Sequence, residues 1–270
     1  MRDEGNPSLM TCRLTIITPV FNGIRFIEFC IRNVIEQNCP DAEHIIVDGG
    51  STDGTVEIIK RYAAEYPHIH WVSEHDKGQS DAMNKGILLA SGAVLSFLNV
   101  DDYYEPGALC EALALFEELP EPALLVGNCS IWDDNGNLLD VSKPSEISFL
   151  SLLEEKFHKA FPMNPSAYFY HKSLHEVIGM YDVEEHFGMD LHFIFKAVQA
   201  AQVKYVDKTF GNYRYLSDTK TFKDVESGQN SVRVTAITDF YRDQAPFYYR
   251  IYSRLYITLR EMYDRFFVEG

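Results

Sequence analysis

His44-Ile45-Ile46-Val47-Asp48-Gly49-Gly50-Ser51-Thr52-Asp53-Gly54 decides the fold: an apolar, β-branched run stops on a carboxylate and breaks into a glycine-rich turn. An apolar run of this kind, without polar alternation, suits a strand buried on both faces of a parallel sheet. Upstream, Leu14-Thr15-Ile16-Ile17-Thr18-Pro19-Val20 repeats the pattern and breaks at Asn22-Gly23. Between the two runs, Ile27, Ile31, Val34 and Ile35 recur at helical spacing, and Pro40-Asp41 makes a turn. Downstream, Val56, Ile59 and Ala63 mark a second helix, which Pro67 ends. Ile69-His70-Trp71-Val72 reads as a third strand and Ser80 to Ala90 as a third helix. Ala93 to Leu98 makes a fourth strand, running into Asn99-Val100-Asp101-Asp102. Strands and helices therefore alternate from Leu14 to Asp102, which predicts an α/β fold with a mostly parallel sheet flanked by helices. In such folds ligands bind beyond the carboxyl ends of the strands. Those ends carry Thr18-Pro19, Asp48 and Asp101-Asp102, and all three are expected to open onto one crevice.

The remainder is less regular. Leu124 to Cys129 reads as a strand, Asp133-Asp134-Asn135-Gly136-Asn137 as a hairpin turn, Leu150 to Phe157 as a helix and Ala167 to Tyr170 as a strand. Met189 to Ala201 follows as a helix and Lys204-Tyr205-Val206 as a late strand. From residue 232 an aromatic-rich helical segment carries Phe240, Tyr248, Tyr252, Tyr256 and Tyr263, and Pro246 should kink or divide it. The expected organisation is a flexible tail over 1–11, a domain over 12–215 divided into 12–107 and 108–215, and a helical extension over 216–270.

Composition bounds the function. With 46% hydrophobic side chains, 270 residues can bury one large core. A net charge of −16 argues against a nucleic-acid polymer as partner, because its phosphates need clustered Lys and Arg. Cys12, Cys30, Cys39, Cys110 and Cys129 are odd in number and form no CxxC pair, as expected of free thiols in a reducing compartment. No signal-peptide pattern opens the sequence, and no stretch reaches the roughly 18 apolar residues of a membrane span. The expectation is a cytoplasmic protein. The C-terminal helix, with Arg242, Arg250, Arg254, Arg260 and Arg265 among its aromatics, leaves open a homodimer contact or peripheral attachment at the inner face of a membrane.

Three stretches carry chemistry. Asp101 and Asp102 are adjacent carboxylates at a strand end, which repel and desolvate one another unless a cation compensates. Mg2+ or Mn2+ does so with oxygen ligands and leaves room for substrate phosphates. A solvated Asp-Asp turn is the plainer reading. Asp48 stands where a carboxylate accepts from a ribose or base, or simply caps the next helix. The stretch from Ser73 to Gly86 is unusually polar: Lys77 and Lys85 are candidates to face phosphates, and Asp81 and Asn84 to hold sugar hydroxyls. An exposed loop and a capped helix is the alternative. No Walker-type loop and no GxGxxG is present, which disfavours an ATPase or a dinucleotide enzyme.

Taken together, four motifs resemble the family-two inverting glycosyltransferases. They are Thr18-Pro19-Val20-Phe21-Asn22, Ile46 to Thr55, Asp76-Lys77-Gly78 through Asp81-Ala82-Met83-Asn84-Lys85-Gly86, and Phe97-Leu98-Asn99-Val100-Asp101-Asp102. The likeness runs from about Leu14 to Gly107 and more weakly to about Arg214. It implies a GT-A-type, Rossmann-like fold, with a nucleotide-binding half at 12–107 and an acceptor half at 108–215. It implies that Thr18, Pro19, Phe21, Asn22, Asp48, Asp76, Lys77, Asp81, Asn84, Lys85 and Asp101 line the nucleotide-sugar site. Asp102 would be the metal ligand. Val100 departs from the small residue usual there.

The family also needs a base at the start of a late helix, and Asp190 in Phe187-Gly188-Met189-Asp190-Leu191-His192 fits, with His192 as a weaker candidate. An N-cap role is the alternative for Asp190. Asn164-Pro165-Ser166 replaces the His-Gln-Ser-like segment of many relatives, and Arg214 is a candidate partner for diphosphate or a structural arginine. The implied activity is metal-dependent, single-displacement transfer from a nucleotide-diphosphate sugar to a glycan or lipid-linked acceptor in envelope or exopolysaccharide assembly. A nucleotide-sugar-binding protein without transfer, a nucleotidyltransferase and a scaffold role for the C-terminal helices are the competing readings.

Overall fold

The computed structural model describes residues 13–267; the tail expected at 1–11 lies outside the described residues. β1 (Leu14–Val20), α1 (Ile27–Glu36), β2 (Ala42–Asp48), α2 (Thr55–Glu65), β3 (Ile69–Ser73), α3 (Gln79–Leu89) and β4 (Val94–Phe97) alternate as the pattern predicts. The second half adds β5 (Tyr103–Tyr104), α4 (Ala108–Phe116), β6 (Ala123–Trp132), β7 (Leu138–Ser142), α5 (Phe149–Leu153) and α6 (Phe157–Ala160). β8 (Tyr168–His171), α7 (Leu174–Ile178), α8 (Met189–Ala200), β9 (Gln202–Arg214), α9 (Lys220–Glu226), α10 (Gln229–Gln244) and α11 (Phe247–Phe267) complete it.

One mixed sheet holds the strands in the order β3-β2-β1-β4-β8-β6-β9-β5, with β7 paired to β6. The first four are parallel, and β8 runs antiparallel between β4 and β6. β1 hydrogen-bonds on both sides, to β2 and β4, and all of its residues are buried. Its alternating side chains serve two cores. Leu14 and Ile16 pack with Cys30 and Val34 of α1 and with Leu109 and Leu113 of α4. Ile17 faces the other way, toward Met83 and Ile87 of α3 and a large cluster with Phe193, Phe195 and Tyr241. Helices thus cover both faces, which is what an apolar parallel strand requires.

Two elements differ from expectation for identifiable reasons. The helix expected over 150–157 is divided into α5 and α6 at Glu155, whose φ of +59° is left-handed. Its carboxylate is held by Arg242 at 3.1 Å and Arg260 at 3.5 Å, so tertiary ion pairs override local propensity. β9 is much longer than the expected late strand. Its first half is largely solvent-facing and polar, which hides it from an apolar-run criterion, yet it pairs with β6 along most of its length.

Pro246 separates α10 from α11 as expected. Ile237 and Tyr241 of α10, and Ala245 just after it, enter the main core, and buried Arg242 also donates to the Leu153 carbonyl at 2.7 Å. α11 turns Tyr256 toward the body, against Lys156, and exposes Tyr248, Tyr252, Leu255 and Leu259. Among the described residues no helix is long and apolar enough to cross a membrane, and Cys30, Cys39, Cys110 and Cys129 are free.

α3 lies directly on β1. A Cβ at Gly86 would fall 2.3 Å from Ile17 Cγ2, a branch methyl that cannot swing away. That contact fixes the height of α3 and the position of the polar loop at its amino end. Gly86→Val should therefore cost about 1–3 kcal/mol, read as a lowered melting temperature with the secondary-structure spectrum retained; an unchanged melting temperature would contradict this packing.

Candidate active site

A cavity of about 690 Å³ opens at the carboxyl end of the parallel strands. Pro19 and Phe21 enter it from the end of β1, Asp76 and Gly78 from the loop before α3, and Asp101 and Asp102 from the turn after β4. Asp190 enters from the first turn of α8, and residues 218–221 form a roof. Five carboxylates (Asp76, Asp101, Asp102, Asp190 and Asp218) line it, and Lys220 is the one Lys or Arg among its described lining residues. Such an imbalance favours a bound cation.

Asp102 is wholly buried and anchored from three directions. Oδ1 accepts from the Arg214 backbone N–H at 3.0 Å; Oδ2 accepts from Asn164 Nδ2 at 2.7 Å and Asn99 Nδ2 at 3.1 Å. Burial, then the neighbouring Asp101 charge, pushes its pKa up to about 8 against these donors. Burial also raises that of Asp101, with the Arg214 charge opposing. The Arg214 side chain donates to the Asp101 carbonyl and lies over the Phe26 and Phe29 rings, 5.1 and 4.9 Å from their centres. Arg214 is thus a structural anchor of the Asp-Asp turn, and its Nη2 is buried without a partner.

Asp48 shapes the neighbouring turn. Its Oδ2 accepts from Gly50 N and Ser51 N, both at 3.0 Å, and from Ser73 Oγ at 2.7 Å. Asp48 itself does not line the cavity; beside it, a Cβ on Gly49 would come 2.5 Å from Asp76 Oδ2, so a larger residue there would displace the Asp76 side chain. Asn22 locks two loops together, its N–H donating to Ser51 Oγ at 2.7 Å and its Oδ1 accepting from Thr52 N at 3.0 Å.

The loop leading to Asp190 is pinned by α3. Asn84 exchanges two 2.9 Å hydrogen bonds with the Tyr181 backbone, and Ser80 Oγ donates to the Glu185 carbonyl at 2.9 Å. Glu185 Oε1 in turn accepts from Phe187 N and Gly188 N, at 2.9 and 2.8 Å. Asp190 Oδ1 is buried with no partner. Burial raises the carboxyl pKa to about 6, and only the adjacent Tyr168 hydroxyl draws it back.

Of the residues singled out in the sequence, Pro19, Phe21, Asn22, Asp76, Asp101, Asp102 and Asp190 share the cavity. Thr18, Lys77, Asp81, Asn84 and Lys85 do not line it. Thr18 is fully buried with its hydroxyl 2.9 Å from His44 Nε2, a core contact. Lys85 pairs with Glu74 at 2.8 Å and Asp81 at 3.4 Å, and Asp81 also accepts from Lys77 N at 3.1 Å. Lys85 thus pairs with both Asp81 and Glu74 outside the cavity. His192 faces α10, with Nδ1 3.0 Å from the Tyr241 hydroxyl.

With this arrangement established, comparison with known proteins settles the family. A model of glycosyl transferase family 2 matches residues 15–178, more than half of the 270 residues. The chain belongs to glycosyltransferase family 2. A relative in this family, the PGL/p-HBAD biosynthesis glycosyltransferase of Mycobacterium bovis (strain BCG / Pasteur 1173P2), is 32% identical over 176 residues, 63% of each chain. The GT-A-like fold recurs in S. aureus TarS 1-349 in complex with UDP-GlcNAc, with TM-score 0.61, 20% identity and coverage of 75% of this chain and 58% of that one. It recurs too in the mannosyltransferase PcManGT of Pyrobaculum calidifontis, in complex with GDP-Man and Mn2+, with TM-score 0.56, 19% identity and coverage of 78% and 58%. The chain spans between 18% and 63% of the length of such curated relatives.

Within this family-two chain the sequence reading missed Asn164 as the closest partner of Asp102, and Lys220 as the cavity's cation. Asn164 lay in the segment noted as a departure; Lys220 sat in a polar stretch with no periodicity to mark it. Lys220 Nζ donates to the His186 carbonyl at 2.6 Å and lies 3.7 Å from the Phe187 ring centre. The roof is also tied across the cavity mouth by Arg25 and Asp218 at 2.8 Å.

Asn164→Leu should lower stability by about 1–3 kcal/mol, because it strips a buried carboxyl of its closest donor; equal denaturant midpoints for variant and wild type would contradict that. Asp190 gives a second prediction with a definite sign. Its folded pKa is raised, so it favours folding when protonated, fully below the unfolded value of about 4 and no longer once pH has risen through about 6. Asp190→Asn should accordingly gain melting temperature relative to wild type as pH rises from about 4 to 7, and a pH-independent difference would count against it.

Proposed function

We propose that the chain transfers a sugar from a nucleotide-diphosphate sugar to an acceptor hydroxyl by metal-dependent single displacement, with inversion at the anomeric carbon. The observation that carries this reading is the shared cavity of Asp101, Asp102 and Asp190 at the strand ends, with its excess of carboxylates over Lys220. The sugar nucleotides bound by the two solved relatives, and the Mn2+ in one of them, support it.

The donor set suits Mg2+ or Mn2+. Among the described residues no three His, Cys, Asp or Glu side chains form a ready-made cluster. Asp102, with Asp101 beside it, would hold the ion, and substrate phosphates would supply further oxygen ligands, as is usual for these hard cations. When bound, such an ion neutralises charge developing on the departing diphosphate.

Pro19, Phe21, Asn22 and Asp76 then bound the nucleotide end of the cavity, and Lys220 offers an ammonium to the phosphates. Asp190 faces the cavity from the helix start and takes the proton of the attacking hydroxyl as the new carbon–oxygen bond forms. Its raised pKa keeps it basic enough for that step while leaving it ionised at neutral pH. The acceptor we assign is a glycan or lipid-linked acceptor in envelope or exopolysaccharide assembly; the mycobacterial relative is named for PGL/p-HBAD biosynthesis.

A panel of UDP-, GDP- and dTDP-sugars, with and without Mn2+, should show thermal stabilisation that needs both components. Asp102→Ala should abolish the Mn2+ dependence, and a variant that retains it would remove Asp102 from the metal site. Asp190→Asn should bind donor normally and lose transfer by about 100-fold or more; full transfer would place the base elsewhere. The nucleotide product should be a nucleoside diphosphate, whereas release of pyrophosphate would assign the chain to nucleotidyl transfer.

A further inference from the structure

Behind the Asp190 carboxyl lie two more buried polar atoms without partners, the hydroxyls of Tyr168 and Tyr181, beside its own unpaired Oδ1. Buried polar groups are paired in the great majority of cases, because each unpaired one costs about 1–3 kcal/mol. Three such atoms lie together at the rear of the candidate base. Both phenol rings are fixed against Phe193, which stands one turn along α8 from Asp190. Tyr168 stacks on it at 5.8 Å and 18°, and Tyr181 at 5.6 Å and 23°. Neither ring can swing away without losing a stack, but each O–H can rotate.

The neighbouring Tyr170 is already committed. Its hydroxyl lies 2.9 Å from His175 Nε2, whose Nδ1 lies 3.0 Å from the Gly179 carbonyl; Nδ1–H donates there, so Nε2 accepts from Tyr170. Tyr168 and Tyr170 from β8 and Tyr181 from the α7–α8 loop are the titratable groups behind Asp190. Across the cavity it faces Asp76, Asp101, Asp102, Asp218, His186 and Lys220. Tyr168 alone has its hydroxyl against the Asp190 carboxyl, short of full hydrogen-bond geometry.

We propose that Tyr168 is a positioning residue for Asp190: its hydroxyl donates to Oδ1 of the ionised carboxylate and thereby turns Oδ2 into the cavity toward the acceptor. This rests on Asp190 being the base. The tyrosine keeps its proton throughout; the proton that moves passes from the acceptor hydroxyl to Asp190. The bond holds the carboxylate in one rotamer and stabilises its charged form.

Tyr168→Phe keeps the ring and its stack and removes one oxygen. The expected result is a kcat about tenfold lower, with donor KM within about twofold, because an interaction used in the chemical step is lost. The acidic limb of kcat/KM should move up by about one pH unit as the carboxylate loses its donor. Below about pH 5, where Asp190 is protonated and accepts no such bond, the melting temperature should not fall; a hydroxyl with a purely structural role would lower it at any pH. Tyr181→Phe, an equal deletion from the same stack, should leave the limb in place. A limb shifted equally by both substitutions, or by neither, overturns the proposal. If Asp190→Asn is inactive while Tyr168→Phe matches wild type, the base stands and the positioning role is lost. If Asp190→Asn transfers sugar normally, the reading of Asp190 fails and the positioning role with it.

Discussion

The Asp102 carboxylate is the point at which the two halves of this chain are tied. It leaves the parallel half on the turn after β4, yet its hydrogen bonds come from Asn164, ahead of β8, and from Arg214, at the end of β9, as well as from nearby Asn99. A carboxylate taken wholly out of water needs such donors. Each donor is itself fixed: Asn164 Oδ1 accepts from Ser166 N and Oγ, and Arg214 lies over two aromatic rings. The turn is therefore rigid because the second half of the protein holds it. The same contacts that build the sheet orient the group that would face a cation.

This arrangement explains how the less regular half contributes to the site. β6 and β9 run parallel for most of their length and carry the chain back to Arg214 beside the Asp-Asp turn. Close approach is needed there: a Cβ on Gly211 would fall 2.0 Å from Ser166 Oγ. Asp190 reaches the same cavity by another route, through a loop that α3 pins at Ser80 and Asn84. The cavity thus draws on both halves, with Pro19, Phe21, Asp101 and Asp102 from the parallel half and Asp190 from α8.

The parallel half was legible in the sequence because a strand buried on both faces must be apolar throughout, and a glycine-rich break marks where it stops. Asp101 and Asp102 stood out because adjacent carboxylates at a strand end repel and desolvate one another, and Asp190 because it opens a helix; that the three meet in one cavity shows only in the fold. Lys77, Asp81, Asn84 and Lys85 were harder, because a polar residue that binds substrate and one that satisfies a neighbour look identical in one dimension. Lys85 finds Glu74 and Asp81, and Asn84 finds the Tyr181 backbone, only once the helix has docked. Asn164 was hidden by the opposite effect, since its partner lies 62 positions away and nothing local announces it. Long-range partners of buried groups are what pattern in a single sequence reveals least, as the polar first half of β9 also illustrates.

The bridge between Arg25 and Asp218 has a consequence of its own. Both side chains are more than half exposed, so the pair is worth little in free energy and is weakened by dissolved salt. At the base of the cavity Asp102 is wholly buried and little affected by such screening, whereas the contact at its upper edge is one that ordinary electrolyte loosens. Dissolved salt therefore acts on this surface contact and leaves the buried hydrogen bonds of Asp102 in place.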